Sequence, residues 1–181
     1  MGFANLDTGR KARTGFAEVI FCQGKKDEHL LWIYERLYQE EGEAFGTRAT
    51  EEQAALVREK FPKAQYDPVS RILKLESDAS KNRIGRIAVC TAGTADIGVA
   101  EEAAQTAEFF GSAVERYFDI GVSGIHRIYE HIDEIRKANC VITVAGMEGA
   151  LASVLGGLVS VPVIAVPTSV GYGASFEGLT A

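Results

Sequence analysis

The sequence predicts an α/β protein: a parallel sheet with helices on both faces, preceded by a smaller α/β domain. Three observations carry that prediction. After residue 84, short apolar, β-branched runs alternate with helix-length stretches. A turn rich in glycine and small polar residues follows three of those runs in succession. A polar stretch without apolar anchors, Ser77–Arg83 (SDASKNR), separates this half from the first. The boundary falls there, giving domains 1–83 and 84–181.

Taken in order, Met1–Thr14 is polar, with Arg10, Lys11 and Arg13 close together, and reads as an extended arm. Phe16–Phe21 reads as a strand, and Gly24-Lys25-Lys26 turns it into a helix over Asp27–Glu41. Leu30, Leu31, Ile33, Tyr34, Leu37 and Tyr38 supply that helix's apolar face, with Asp27 as N-cap and Gly42 as stop. Ala44–Gly46 reads as a short strand leading to Thr47-Arg48. Thr50 caps a helix over Glu51–Lys60, whose first-turn acids suit the dipole, and Phe61-Pro62 ends it. Gln65–Asp67 and Arg71–Leu75 are extended. In the second half the strands are Arg86–Cys90, Ala113–Phe118, Val141–Val144 and Pro162–Val166. Between them lie helices over Val99–Phe110, Ile125–Ala138 and Leu151–Val159. Ala174–Ala181 looks like the start of a further helix, so the native chain is expected to continue past it.

Composition narrows the function. The 181 residues are 46% hydrophobic and 24% charged, ordinary for a globular protein. A net charge of −6 argues against a general nucleic-acid or membrane-surface role, though not against a small anionic ligand met by a local cationic cluster. The charged first twenty residues lack the apolar segment of a signal peptide. The most apolar region, Cys140–Val166, is broken by a glycine turn and Pro162, as a buried core is and a membrane span is not. Three widely spaced cysteines, Cys22, Cys90 and Cys140, read as buried thiols of a cytoplasmic protein.

Ligands of parallel α/β sheets bind where strands end at their carboxyl edge, because turns there expose backbone N–H groups and helix N-termini. Three such turns carry polar groups: Thr91–Asp96, Asp119–Arg127 and Ala145–Ala150, with Ser169–Gly173 emerging beside them. Thr91 and Thr94 offer hydroxyls, Asp96 and Glu148 carboxylates, and His126 a group that exchanges protons near neutral pH. Glu148 is the only charge between Lys137 and Glu177, which solubility does not explain. Asp96 serves equally well as a helix cap, and His126 as a structural residue. Arg13, Lys25 and Arg48 are solvated charges singly and a phosphate clamp together.

These segments carry a resemblance. GTAD (Gly93–Asp96), GIHR (Gly124–Arg127), AGMEGALASVLGGL (Ala145–Leu158) and PVIAVPTSVGYG (Pro162–Gly173) resemble the PurE superfamily, home of the aminoimidazole ribonucleotide carboxylase and mutase of purine synthesis. The sequence is more similar to the LarB branch, pyridinium-3,5-biscarboxylic acid mononucleotide synthases. That branch also has an arm like Asp7, Arg10, Arg13, Gly15-Phe16, Glu18-Val19, Gly24-Lys25 and Thr47-Arg48. The resemblance implies a PurE-like Rossmann-type three-layer domain and a homo-oligomer. It implies carboxylation of the pyridinium of nicotinic acid adenine dinucleotide with release of AMP, the first step toward the nickel-pincer cofactor of lactate racemase. CO2 or bicarbonate is the co-substrate, and Mg2+ is expected at the phosphates. Glu148, Asp96 and His126 are then catalytic. Arg10, Arg13, Lys25, Thr47, Arg48, Gly93, Thr94, Gly146, Met147, Gly149, Ser169 and Tyr172 contact substrate.

In LarB proteins the nucleophilic cysteine lies in an N-S-C-A segment just beyond the region matching Gly171–Gly178. None of Cys22, Cys90 and Cys140 matches it, so that segment is expected past Ala181. The alternatives are an aminoimidazole ribonucleotide carboxylase or mutase, and a nucleotide-binding module without catalysis. The first keeps an alanine-alanine-histidine run where this chain has Met147–Leu151. A flavodoxin-like electron carrier is disfavoured, since nothing in this chain beyond Tyr172 supplies flavin-stacking aromatics.

Overall fold

The computed structural model describes residues 4–76 and 82–169. The chain divides into two compact units, 1–81 and 82–181.

In the first unit, β1 (Val19–Phe21), β2 (Glu43–Thr47), β3 (Gln65–Asp67) and β4 (Ile72–Glu76) form a sheet in the order β1-β2-β4-β3. β1 and β2 run parallel, and the other pairs are antiparallel. α2 (Asp27–Glu41) buries Leu30, Ile33, Tyr34 and Leu37, one stripe at helical spacing, against Ile20, Leu73 and Leu75. Each such side chain contributes about 1.5–3 kcal/mol. The Tyr34 hydroxyl donates to the Leu73 carbonyl at 2.8 Å. Gly46 lies under that ring, where a Cβ would come within 2.0 Å of the hydroxyl. Thr50 caps α3 (Glu51–Lys60) through a capping box with Gln53. The N-cap of α2 is Lys26, not Asp27, which stands in the first turn.

The arm is not wholly extended. Arg10–Thr14 forms a short helix, α1, closed by left-handed Gly15, whose N–H donates to the Lys11 carbonyl. It buries no residue, so no apolar period announces it.

The second unit holds β5 (Ile84–Thr91), α4 (Ile97–Phe109), β6 (Ser112–Tyr117), α5 (His126–Ile135), β7 (Cys140–Ala145), α6 (Ala150–Leu158) and β8 (Val163–Pro167). Among the described residues its four strands are all parallel, in the order β6-β5-β7-β8. Alternation along each strand sends side chains to opposite faces. Val89 and Val144 meet Ala100 and Ala104 of α4. Ala88, Cys90, Val141 and Ala145 meet Ile128, Ile132 and Ile135 of α5 and Leu151 and Leu155 of α6. The sheet therefore has helices on both faces, the three-layer arrangement of a PurE-like Rossmann-type domain. From β5 the chain steps outward to β6 and then crosses to β7 on the other side of β5. That reversal opens a crevice at the carboxyl ends of β5 and β7.

Candidate functional site

The turns leaving β5, β6 and β7 enclose one cavity of about 710 Å³ at this crevice. Ligand pockets span roughly 300–1,000 Å³. Its wall includes Gly93, Thr94 and Asp96 from the first turn, Asp119, Gly121 and Ser123 from the second, and Gly146, Met147 and Glu148 from the third.

Backbone contacts bind the turns to one another. Thr91 is fully buried: its hydroxyl accepts the Asp119 N–H at 2.9 Å, and its carbonyl accepts the Ile120 N–H at 2.9 Å. The Ala92 N–H donates to the Val144 carbonyl. Gly121 passes so close that a Cβ would lie 2.4 Å from the Ala92 carbonyl oxygen. Two wall residues, Asp119 (φ 59°) and Met147 (φ 54°), hold left-handed backbone without being glycine. That conformation costs about 1–2 kcal/mol for an ordinary residue and gathers at ligand sites. The Asp119 carboxylate pairs with Arg127 at 2.8 Å. Gly124 makes room, since a Cβ there would fall 2.7 Å from the guanidinium.

The two predicted acids differ. Asp96 is 5% exposed, and both its oxygens are occupied. One accepts the Thr168 hydroxyl at 2.7 Å, the other the Gly93 N–H at 3.1 Å. Glu148 is exposed and makes no hydrogen bond or ion pair among the described residues. It also borders a smaller cavity of about 220 Å³, shared with Gly149, between α6 and β8.

His126 is not in the cavity wall; it is exposed at the first position of α5. The stripe Ile128, Ile132 and Ile135 fixes how that helix is turned, and His126 lies roughly 200° from Ile128 about its axis. The sequence therefore gathers Gly93, Thr94, Asp96, Gly146, Met147 and Glu148 about one cavity and leaves the imidazole outside its wall. Ser169 follows β8 as an exposed residue, and Tyr172 lies outside the described residues.

The predicted cations of the first unit fall into two groups. β1 and β2 are parallel neighbours, so Gly24-Lys25 and Thr47-Arg48 leave the same sheet edge; the Cys22 N–H bonds the Thr47 carbonyl there. Arg10 and Arg13 belong to α1, where Lys11 is salt-bridged at 2.9 Å to Glu43 at the opposite end of β2. That strand is roughly 13 Å long at the usual rise. Asp7 holds the Arg13 guanidinium by both nitrogens, at 2.8 and 2.7 Å, which lowers the Asp7 pKa.

No cysteine is activated. Burial pushes the Cys90 thiol up to about 12, and burial raises Cys22 and Cys140 as well. Among the described residues no three metal-ligating side chains converge. A Mg2+ carried on substrate phosphates needs only one or two carboxylates, and Glu148 is the unpaired one here.

Asp119, Gly121, Arg127 and Thr168 were not foreseen as site residues. Asp119 carried one signal: an aspartate, tolerant of left-handed backbone, two residues before a glycine at a strand end.

Two family models match the chain. Residues 1–77 match one described as LarB/PurE-like N-terminal domain, and residues 86–181 match one described as AIR carboxylase. A protein of Methanocaldococcus jannaschii named Uncharacterized protein MJ0165 is 37% identical over 176 residues, an alignment covering 93% of this chain and 69% of that protein.

Proposed function

The chain belongs to the LarB/PurE superfamily, and on that premise we propose that it carboxylates C5 of the pyridinium of nicotinic acid adenine dinucleotide and hydrolyses the phosphoanhydride to release AMP. That would be the first step of nickel-pincer cofactor synthesis. One observation carries the proposal: three turns from neighbouring parallel strands converge on a nucleotide-sized cavity in which Glu148 is a carboxylate without a partner.

The chemistry constrains the roles. A pyridinium is electron-poor and cannot attack CO2 until a nucleophile adds to the ring and makes it enamine-like. Carboxylation at C5, loss of the C5 proton and departure of the nucleophile then restore aromaticity. Glu148 suits the proton transfer, because neither a hydrogen bond nor an ion pair engages its carboxylate. None of Cys22, Cys90 and Cys140 suits the thiolate role, since Cys22 and Cys90 are buried and burial disfavours the thiolate of all three. The turn at Gly146 suits an anionic substrate group, because a glycine lets an anion approach the backbone closely. Mg2+, carried on the substrate phosphates, would neutralise their charge. Lys25, Thr47 and Arg48 would contact phosphate as a group. His126 takes part only if substrate extends beyond the cavity wall.

Exposed Gly156 and Gly157 on α6, and Ile164 on β8 at 51% exposure, favour association of copies. No helix among the described residues is long and apolar enough to cross a membrane.

The match of residues 86–181 to an AIR carboxylase model favours a second reading, action on aminoimidazole ribonucleotide. The match of residues 1–77 favours the first. Incubating the protein with each nucleotide and labelled bicarbonate separates them by mass spectrometry. We expect carboxylated pyridinium mononucleotide and AMP from the dinucleotide. Label in the imidazole product instead would transfer the assignment, and binding of dinucleotide without turnover would leave a nucleotide-binding module.

A further inference from the structure

We infer that Thr168 is a positioning residue for this site, and that Asp96 serves it as a structural anchor rather than as a proton carrier. The inference rests on the reading that the cavity is the reaction centre. Thr168 follows β8, an edge strand, and its side chain is not in the cavity wall. It is nevertheless 4% exposed, and it makes two contacts in opposite directions. Its backbone N–H donates to the carbonyl of Ala145 at 3.0 Å, immediately before the Gly146–Gly149 turn that carries Glu148. Its hydroxyl donates to the Asp96 carboxylate at 2.7 Å, across 72 residues of sequence.

The second Asp96 oxygen accepts the Gly93 N–H, so the carboxylate also closes its own turn. Thr168 thus staples the turn after β5 to the turn after β7, and the span between them sets the cavity width. A carboxylate buried to this extent and bonded on both oxygens is a strong acceptor and a poor shuttle. The two donors come from the fold itself, the Thr168 hydroxyl and the Gly93 N–H, so the carboxylate is committed to holding its turn. Asp96 therefore acts through the geometry it imposes, and Glu148 is left as the acid that meets the substrate.

The test compares Thr168→Val, which keeps the shape and removes the hydroxyl, with Thr168→Ser, which keeps the hydroxyl, and with Asp96→Asn. Thr168→Val should lower kcat/KM for the dinucleotide about tenfold or more, the scale of one lost hydrogen bond to a buried charge. Thr168→Ser should restore most of it. Asp96→Asn should lose rate while keeping both limbs of the pH–rate profile, and its effect should not add to that of Thr168→Val. Hydrogen exchange of the same variants needs no substrate: Thr168→Val should speed exchange in Gly93–Asp96 and in Gly146–Gly149 together.

Wild-type rate in Thr168→Val, loss of a pH limb in Asp96→Asn, or faster exchange confined to residues beside Thr168 would each overturn the inference. Coupled loosening of both turns in a protein that shows no turnover would uphold the staple and remove the function assigned to the cavity. If Thr168→Val does not fold, Thr168→Cys supplies the same contrast, a thiol being a weak donor.

Discussion

The turn after β5 and the turn after β7 face each other across one cavity and are built on opposite plans. In the first, Asp96 is buried and saturated by the Gly93 N–H and the Thr168 hydroxyl. In the second, Met147 holds left-handed backbone and Glu148 stands exposed with no partner among the described residues. In one turn the chain satisfies the carboxylate; in the other the carboxylate is left open to a ligand. Two carboxylates that look alike in sequence thus differ in their surroundings: the fold engages one and leaves the other open.

The sharpest way to break this contrast is Glu148→Gln. It should lower carboxylation by about 100-fold or more, the usual reach of acid–base catalysis, with folding unchanged by circular dichroism. Unaltered turnover would remove Glu148 from the chemistry. Next comes Gly121→Ala. Its Cβ would meet a backbone oxygen that cannot rotate away, so we expect a loss of about 1–3 kcal/mol in denaturant unfolding together with weaker dinucleotide binding. Met147→Gly should act oppositely on stability, gaining up to about 1 kcal/mol from relief of left-handed strain. A destabilised variant would mean that the Met147 side chain matters more than its backbone.

Cys90 gives a pH test. Its thiol is held neutral in the fold to about pH 12, whereas in the unfolded chain it ionises near 9. Between those values the unfolded state binds fewer protons, so stability should fall as pH rises from 9 toward 12 and be unaffected below 9. Cys90→Ala should flatten that part of the profile, and iodoacetamide should leave Cys90 unlabelled in the native protein at pH 8. Rapid labelling would reopen it as a nucleophile. The smallest expected effect is at Arg13, already paired with Asp7. Its alanine variant should raise the dinucleotide KM less than Lys25→Ala or Arg48→Ala, which share one sheet edge.

Much of this architecture was legible beforehand because local signals state it. The apolar spacing of Leu30 to Leu37 with Gly42 behind it bounded α2, and Thr50 with the acids Glu51 and Glu52 marked the start of α3. The strand-and-turn rhythm after residue 84 located the cavity before any strand order was known. What stayed hidden was either too short or too distant to leave a pattern. α1 buries nothing and so shows no period. The Thr168–Asp96 bond joins residues whose proximity depends on the order β6-β5-β7-β8. The direction of His126 was written in Ile128, Ile132 and Ile135, but only once that stripe is known to face the sheet does it turn the imidazole away.

The claim that the three turns form a single ligand site is tested most directly by hydrogen exchange of the wild-type protein with and without nicotinic acid adenine dinucleotide. The account predicts that Gly93–Asp96, Asp119–Ser123 and Gly146–Glu148 gain protection together on binding. Binding that protects other segments and leaves these three unchanged would contradict it.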